Sequence, residues 1–229
     1  TMSPLLRPAH DESRFRPQEP PVKERIPGRR VGVVALAVLF QLAGGCAGAP
    51  TATATATADD AAWNARGAQL AAQLQGRLKS RLEAAIAQGG PVAAIGVCRD
   101  EAPGIASEVS AASGAVVRRT SLRVRNPDNA PDAWERKGLE RFEGLKAGGA
   151  DLATVEFSEK VVIDGRPARR YLKPIVTMPV CTVCHGPSVA PEILAAISAR
   201  YPADRATGFA QGDLRGAFSV TWKDPPAAP

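Results

Sequence analysis

The residues best suited to chemistry sit in one stretch, Pro179-Val180-Cys181-Thr182-Val183-Cys184-His185-Gly186. It contains Cys-x-x-Cys-His, the attachment signature of c-type haem. Each of the two thiols can add to one vinyl group of a porphyrin, and the neighbouring imidazole can then coordinate the iron from one face. Blander readings compete. A zinc site needs four ligands, and only His185 and Cys98 accompany the pair, without zinc-finger spacing. A thioredoxin-type disulfide opens a helix after a buried strand, but Pro187 and Pro191 crowd the residues that follow and no βαβ pattern surrounds the pair. One covalent haem c per chain is therefore expected, bound through Cys181 and Cys184 with His185 on the metal, provided the chain is exported.

The first third of the chain bears on export. Residues 1–30 are polar, Pro-rich and basic, ending in Arg25, Arg29 and Arg30; an apolar run from Val31 to Ala43 follows, then Gly44-Gly45-Cys46. A basic flank, a short apolar core and small residues describe a secretory signal. The apolar run is short for a membrane span, which needs ~20 residues. Small residues leading into a cysteine look like a bacterial lipoprotein leader, with cleavage before Cys46 and the lipid on its thiol. Such leaders carry Leu three residues before the cysteine; here Leu42 lies at four. The expectation is a periplasmic protein held to a membrane by lipid at Cys46. Its parts are a leader (1–45), a Thr/Ala-rich tether (46–60) and one folded domain (61–229).

Composition agrees. The chain holds 29 Lys and Arg against 23 Asp and Glu, and the leader takes seven and four of these, leaving 22 against 19, or +3. That balance is too mild for nucleic acid, and no basic run is interleaved with aromatics. The Thr-Ala repeat between Ala47 and Ala58 has no apolar pattern and reads as a spacer.

The elements that must position the motif are read from periodicity. Leu70, Leu74, Leu78, Leu82 and Ile86 recur every four residues, so 61–88 reads as an amphipathic helix. Gly89-Gly90 ends it and Pro91 opens a second helix, with Val92, Ile95, Cys98, Ala102, Ile105 and Val109 on one face. Cys98 thus points inward, and Pro103 should interrupt the helix. After Gly114 a strand pattern runs through 116–125. A turn at Asn126–Pro131, a helix with Trp134, Phe142 and Leu145, and two alternating runs joined at Asp164-Gly165 follow. A short helix (191–201) and a last strand (217–222) close the chain. This order argues for α+β around an antiparallel sheet.

A second iron ligand is harder to read. His10 and Met2 lie in the leader, so His185 is the sole histidine of the mature part, and bis-histidine ligation within one chain is excluded. Met178, three residues before Cys181, is too close in sequence to reach the opposite face. Cys98 remains: a thiolate ligand would favour ferric iron, but a buried cysteine is also commonly just a small hydrophobe, and the position can be vacant.

Four blocks of the chain are similar to a known family, the PAS-like single c-type haem sensor domains. They are Ala94-Ile95-Gly96-Val97-Cys98 with Ala102-Pro103; Val117 to Pro127 running on to Trp134-Glu135; Tyr171-Leu172-Lys173-Pro174-Ile175 into Cys181–Gly186; and Gly212 to Val220. The resemblance spans about 90 to 220. It implies a PAS-like antiparallel sheet with N-terminal helices alongside, covalent attachment at Cys181 and Cys184, and iron held between His185 and Cys98. Arg119, Arg123 and Arg125 share one strand parity, and Arg215 lies in the last block. Guanidinium forks match carboxylates, so Arg119, Arg123 and Arg215 are candidates for the haem propionates, with a solvated face or pairs to Glu135 and Asp213 as the plainer reading. The expected role is a redox or small-ligand sensor working through a signalling or redox partner protein. The alternative is a periplasmic electron carrier. An enzyme is weakest, because no distal histidine accompanies the motif.

Overall fold

The structure is a computed structural model and describes residues 57–225. The leader, most of the tether and Cys46 lie outside these residues. Helix α1 (Ala58–Gly96) begins three residues before the expected boundary, because Thr57 caps it. The Thr57 hydroxyl accepts from the Asp60 amide at 3.2 Å, and the Asp60 carboxylate accepts from the Thr57 amide at 3.3 Å, a capping box. The every-fourth-residue row then buries Leu70 and Leu74, with Leu78 packed beside them.

Helix α1 breaks where the sequence says it should. Gly90 takes φ +71°, open to glycine at no steric cost, and Pro91 restarts the helix in a new direction. Leu82, Ala85 and Ile86 on the near side pack against Ala94 and Val97 on the far side. A π-helical turn, Val97–Glu101, follows before helix α2 (Ala102–Ser113). Pro103 explains it: proline lacks an N–H and its ring collides with the carbonyl four residues back, so a regular α-turn cannot continue through it. Cys98 sits on this widened turn.

The sheet contains β1 (Val116–Thr120), β2 (Phe157–Ile163), β3 (Arg166–Val176) and β4 (Leu214–Lys223), antiparallel throughout in the order β1-β4-β3-β2. The class is α+β, as expected. The β2–β3 hairpin turns at Asp164-Gly165, both with positive φ, the pattern such tight turns need. Strand β1 is shorter than the 116–125 reading. Its parity holds, but Ser121 ends it, because its hydroxyl accepts from the Arg123 amide (3.2 Å) and donates to the Arg215 carbonyl (2.8 Å), diverting the backbone from the ladder.

Alternation sends each strand's residues to two cores. Val117, Tyr171, Phe218, Val220 and Trp222 face α1 and α2, where Trp63 meets Trp222 edge-on at 5.0 Å. Leu172, Ala217 and Phe157 face helix α3 (Ala133–Ala147), which supplies Leu139 and Phe142. Both helix layers approach closely at a glycine: a Cβ on Gly67 would lie 2.5 Å from the Tyr171 ring, and one on Gly138 would lie 2.7 Å from Phe157 Cδ1. Two short helices, α4 (Pro179–His185) and α5 (Pro191–Arg200), connect β3 to β4. Helix α5 docks on the far arm of α1 through Ile193 and Ile197 against Ile95.

Candidate functional site

Helix α4 carries the Cys-x-x-Cys-His. Pro179 opens it, where a missing N–H costs nothing. Its last turn closes through the Gly186 amide to the Thr182 carbonyl at 2.9 Å. A Cβ at Gly186 would collide with that carbonyl and lie 3.1 Å from Thr182 Cβ, so the glycine after the histidine is a packing requirement. Cys181 and Cys184, three residues apart on the helix, both line an apolar cavity, and both thiols are free. Burial, followed by the nearby Cys98 and Cys181, raises the Cys184 thiol pKa against the pull of Arg125.

His185 lines the same cavity. Its Nδ1 lies 2.6 Å from the Ala206 carbonyl. A carbonyl can only accept, so Nδ1 carries the proton and Nε2 keeps its lone pair. Burial, then Arg215 and Arg125, hold the imidazole pKa well below its ordinary value, which keeps the ring neutral. A neutral imidazole with a committed Nδ1–H is the form that ligates metal.

Cys98, half-buried on the π-turn, lines the same cavity, with Leu82 and Ile95 from α1 and Ile175 and Phe218 from the sheet completing the walls. Met178 also lines it. Among the described residues no three His, Cys, Asp or Glu side chains converge in a metal-binding cluster.

The three arginines chosen from sequence fall differently. Arg119 lines the cavity without a carboxylate beside it, and burial lowers its pKa. Arg215 also reaches the cavity, by a route periodicity could not show. The β3–β4 register passes from Ile175↔Gly216 to Val176↔Leu214, leaving Arg215 as the extra residue of a bulge. Residues 217 and 219 face α3, and the bulge turns Arg215 away from that series toward the cavity. Its Nη1 donates to Ser121 Oγ (3.0 Å) and the Arg123 carbonyl (3.2 Å), while its Nε is buried without a partner. Burial, then Arg125 and Arg119, push its pKa down to about 10. Arg123 is not brought to the cavity. It donates to the Thr207 and Arg205 carbonyls and stacks over Phe209 at 4.2 Å.

Arg118 pairs with the fully buried Glu135 at 3.2 Å, and Asp213 pairs with Lys146. Sequence reading singled out neither Asp204 nor the 204–209 segment, which wraps His185. No repeat or spacing marks that segment; only the run of backbone bonds to Gly186 and His185 reveals it.

Comparison with known proteins bears on this arrangement. The family model described as Tll0287-like matches residues 50–222. The chain belongs to the Tll0287-like family. The match contains all four blocks on which the resemblance rested. Among solved structures, the chain is similar to the crystal structure of the cyanobacterial haem protein Tll0287, at 27% identity and a TM-score of 0.50. The likeness covers 74% of this chain and 98% of that one. No curated protein matches the chain.

The residues fit a covalently bound haem. Two free thiols on one helix, a neutral imidazole and a third thiol line a single apolar cavity. Arg119 and the orphaned Arg215 Nε supply donors that no carboxylate among the described residues satisfies. A group that is apolar across its face and anionic at one edge answers both features.

Proposed function

We propose that this protein binds one haem, attached at Cys181 and Cys184 and ligated by His185 and Cys98, with Arg119 and Arg215 toward the propionates. The single observation that carries the reading is the gathering of all four of these Cys and His residues around one cavity that Arg215, with its unpartnered Nε, also lines. The similarity to a haem protein supports it. The bound group would supply one-electron redox chemistry and a site for small ligands. The chain's own residues do the rest: His185 stays neutral, the apolar walls exclude water, and Cys98 presents sulfur from a π-turn.

We favour a redox or small-ligand sensor over an electron carrier, because Cys98 stands on the π-helical turn between α1 and α2. Such turns frequently mark functional positions in helices. The chain acts through a redox or signalling partner protein, outside the cytoplasm, held to a membrane by lipid at Cys46. No helix among the described residues is long and apolar enough to cross a membrane. The test is a haem stain and alkaline pyridine spectrum on protein made with c-haem maturation factors. Covalent haem is expected, and its absence from correctly exported protein would return the Cys-x-x-Cys to a disulfide or metal pair.

A further inference from the structure

Arg125 looks at first like one more arginine of the strand face. The structure buries it, with its side chain 8% exposed, and its fork reaches separate segments of the chain. Nε and Nη2 donate to the two carboxylate oxygens of Asp204 at 3.1 and 3.2 Å. Nη2 also lies 2.6 Å from the Cys184 carbonyl and 3.3 Å from the Ala206 carbonyl. Asp204 returns to the same peptide region: its Oδ1 accepts from the Ala206 amide at 3.0 Å.

Ala206 is therefore held at both ends, its N–H by Asp204 and its C=O by Arg125, and that C=O is the acceptor of His185 Nδ1–H. The Gly208 amide to the Gly186 carbonyl (2.8 Å) and the Phe209 amide to the His185 carbonyl (2.9 Å) fasten the segment along the motif. A buried ion pair adds little net stability over an apolar pair of the same size, so stability alone does not account for it. Besides holding the Cys184 carbonyl, the pair fixes one carbonyl against one imidazole nitrogen.

We propose that the Arg125–Asp204 pair is the positioning device for His185, holding the Ala206 carbonyl as acceptor and so setting the orientation and donor strength of Nε2 toward iron. The inference rests on His185 being the iron ligand. Outer partners of a ligating histidine tune its basicity in this way.

The test uses the haem-loaded protein and reads midpoint potential and spin state for Arg125→Lys, Arg125→Gln and Asp204→Asn, with His185→Ala alongside. If the pair acts through His185, a loosened Nδ1 hydrogen bond weakens donation to ferric iron. Arg125→Lys, which keeps the charge, then raises the potential, and Asp204→Asn raises it too. If the pair acts only as charge near the haem, Arg125→Gln lowers the potential, Asp204→Asn raises it and Arg125→Lys leaves it in place; that pattern overturns the proposal, as do unchanged potentials in both Arg125→Lys and Asp204→Asn. The charge-preserving Arg125→Lys keeps the test decisive where Arg125→Gln fails to fold. A His185→Ala protein with an unaltered low-spin spectrum would instead sink the ligand assignment itself, a failure separable from the first.

Discussion

A cysteine, a histidine and a glycine set most of what happens at the cavity. Replacing Cys98 with Ala removes, among the described residues, the only sulfur outside α4 that lines it apart from the Met178 thioether. The haem-loaded Cys98→Ala protein is expected to keep its covalent haem and to move from a low-spin toward a high-spin absorption spectrum; an unchanged low-spin spectrum would pass the position to Met178 or another group. Gly186→Ala should destabilise the protein by about 1–3 kcal/mol, the usual cost of forcing a methyl into filled space, since the new Cβ would meet Thr182. A urea melt checks this, and an unchanged midpoint would refute it. The motif was fully legible because its signal is local, and Cys98 was placed inward by helical spacing alone. Arg125 and Asp204 were not legible as a pair, since 79 residues separate them and no period links them. Arg215 was chosen by resemblance, yet what turns it toward the cavity is a bulge that alternation cannot anticipate.

The elements were readable wherever one local rule governed them. The leucine row, the Gly-Gly break and the Asp164-Gly165 hairpin each depend on neighbours in sequence. Helix α4 escaped notice because its seven residues include three β-branched ones and open on proline, a composition with weak helix preference. The π-turn is the element that carries Cys98 to the cavity. Two ion pairs clamp it: Arg81 grips Glu101 with two bonds of 2.5 and 2.9 Å, and Arg200 reaches Asp100 at 2.9 Å. Both pairs are solvent-exposed, so each is a weak restraint. Arg81→Gln is therefore expected to speed displacement of Cys98 by carbon monoxide roughly 1.5- to 5-fold, read by stopped-flow absorbance on the reduced protein. An unaltered rate would show that the clamp does not restrain the turn.

For the molecule as a whole, acid is the informative stress. Asp60, Asp132, Glu159 and Asp213 all have lowered pKa values in the folded state. For Asp60 the leading cause is its bond with Thr57, for Glu159 that with Lys137 and for Asp213 that with Lys146; at Asp132 the bond with Arg170 outweighs, with other contacts, a larger opposing burial effect. A depressed carboxylate contributes stability above its ordinary value of 3.8 for Asp or 4.5 for Glu, and that stability is lost as pH falls through the lower folded value. Urea midpoints should accordingly begin to fall once pH drops below 6.5, the ordinary value of the imidazole that buried His185 keeps neutral, and fall further below the carboxylate values; a midpoint that rises on acidification would contradict the assignment. At the membrane, Cys46→Ser should abolish labelling by a radioactive fatty acid and free the protein from the membrane fraction. The fold class was legible as a whole, because it follows from element order. The strand order was not, and it has a consequence in time. Strand β1 pairs only with β4, almost a hundred residues later, and such distant pairings form late because loop closure must precede them. The wall bearing Arg119 and Arg215 is thus completed after the helices and the β2–β3 hairpin. Until that moment the cavity stands open on one side, so the order of folding would leave the haem proposed above an interval in which to be joined to the thiols of α4 before the sheet shuts it in.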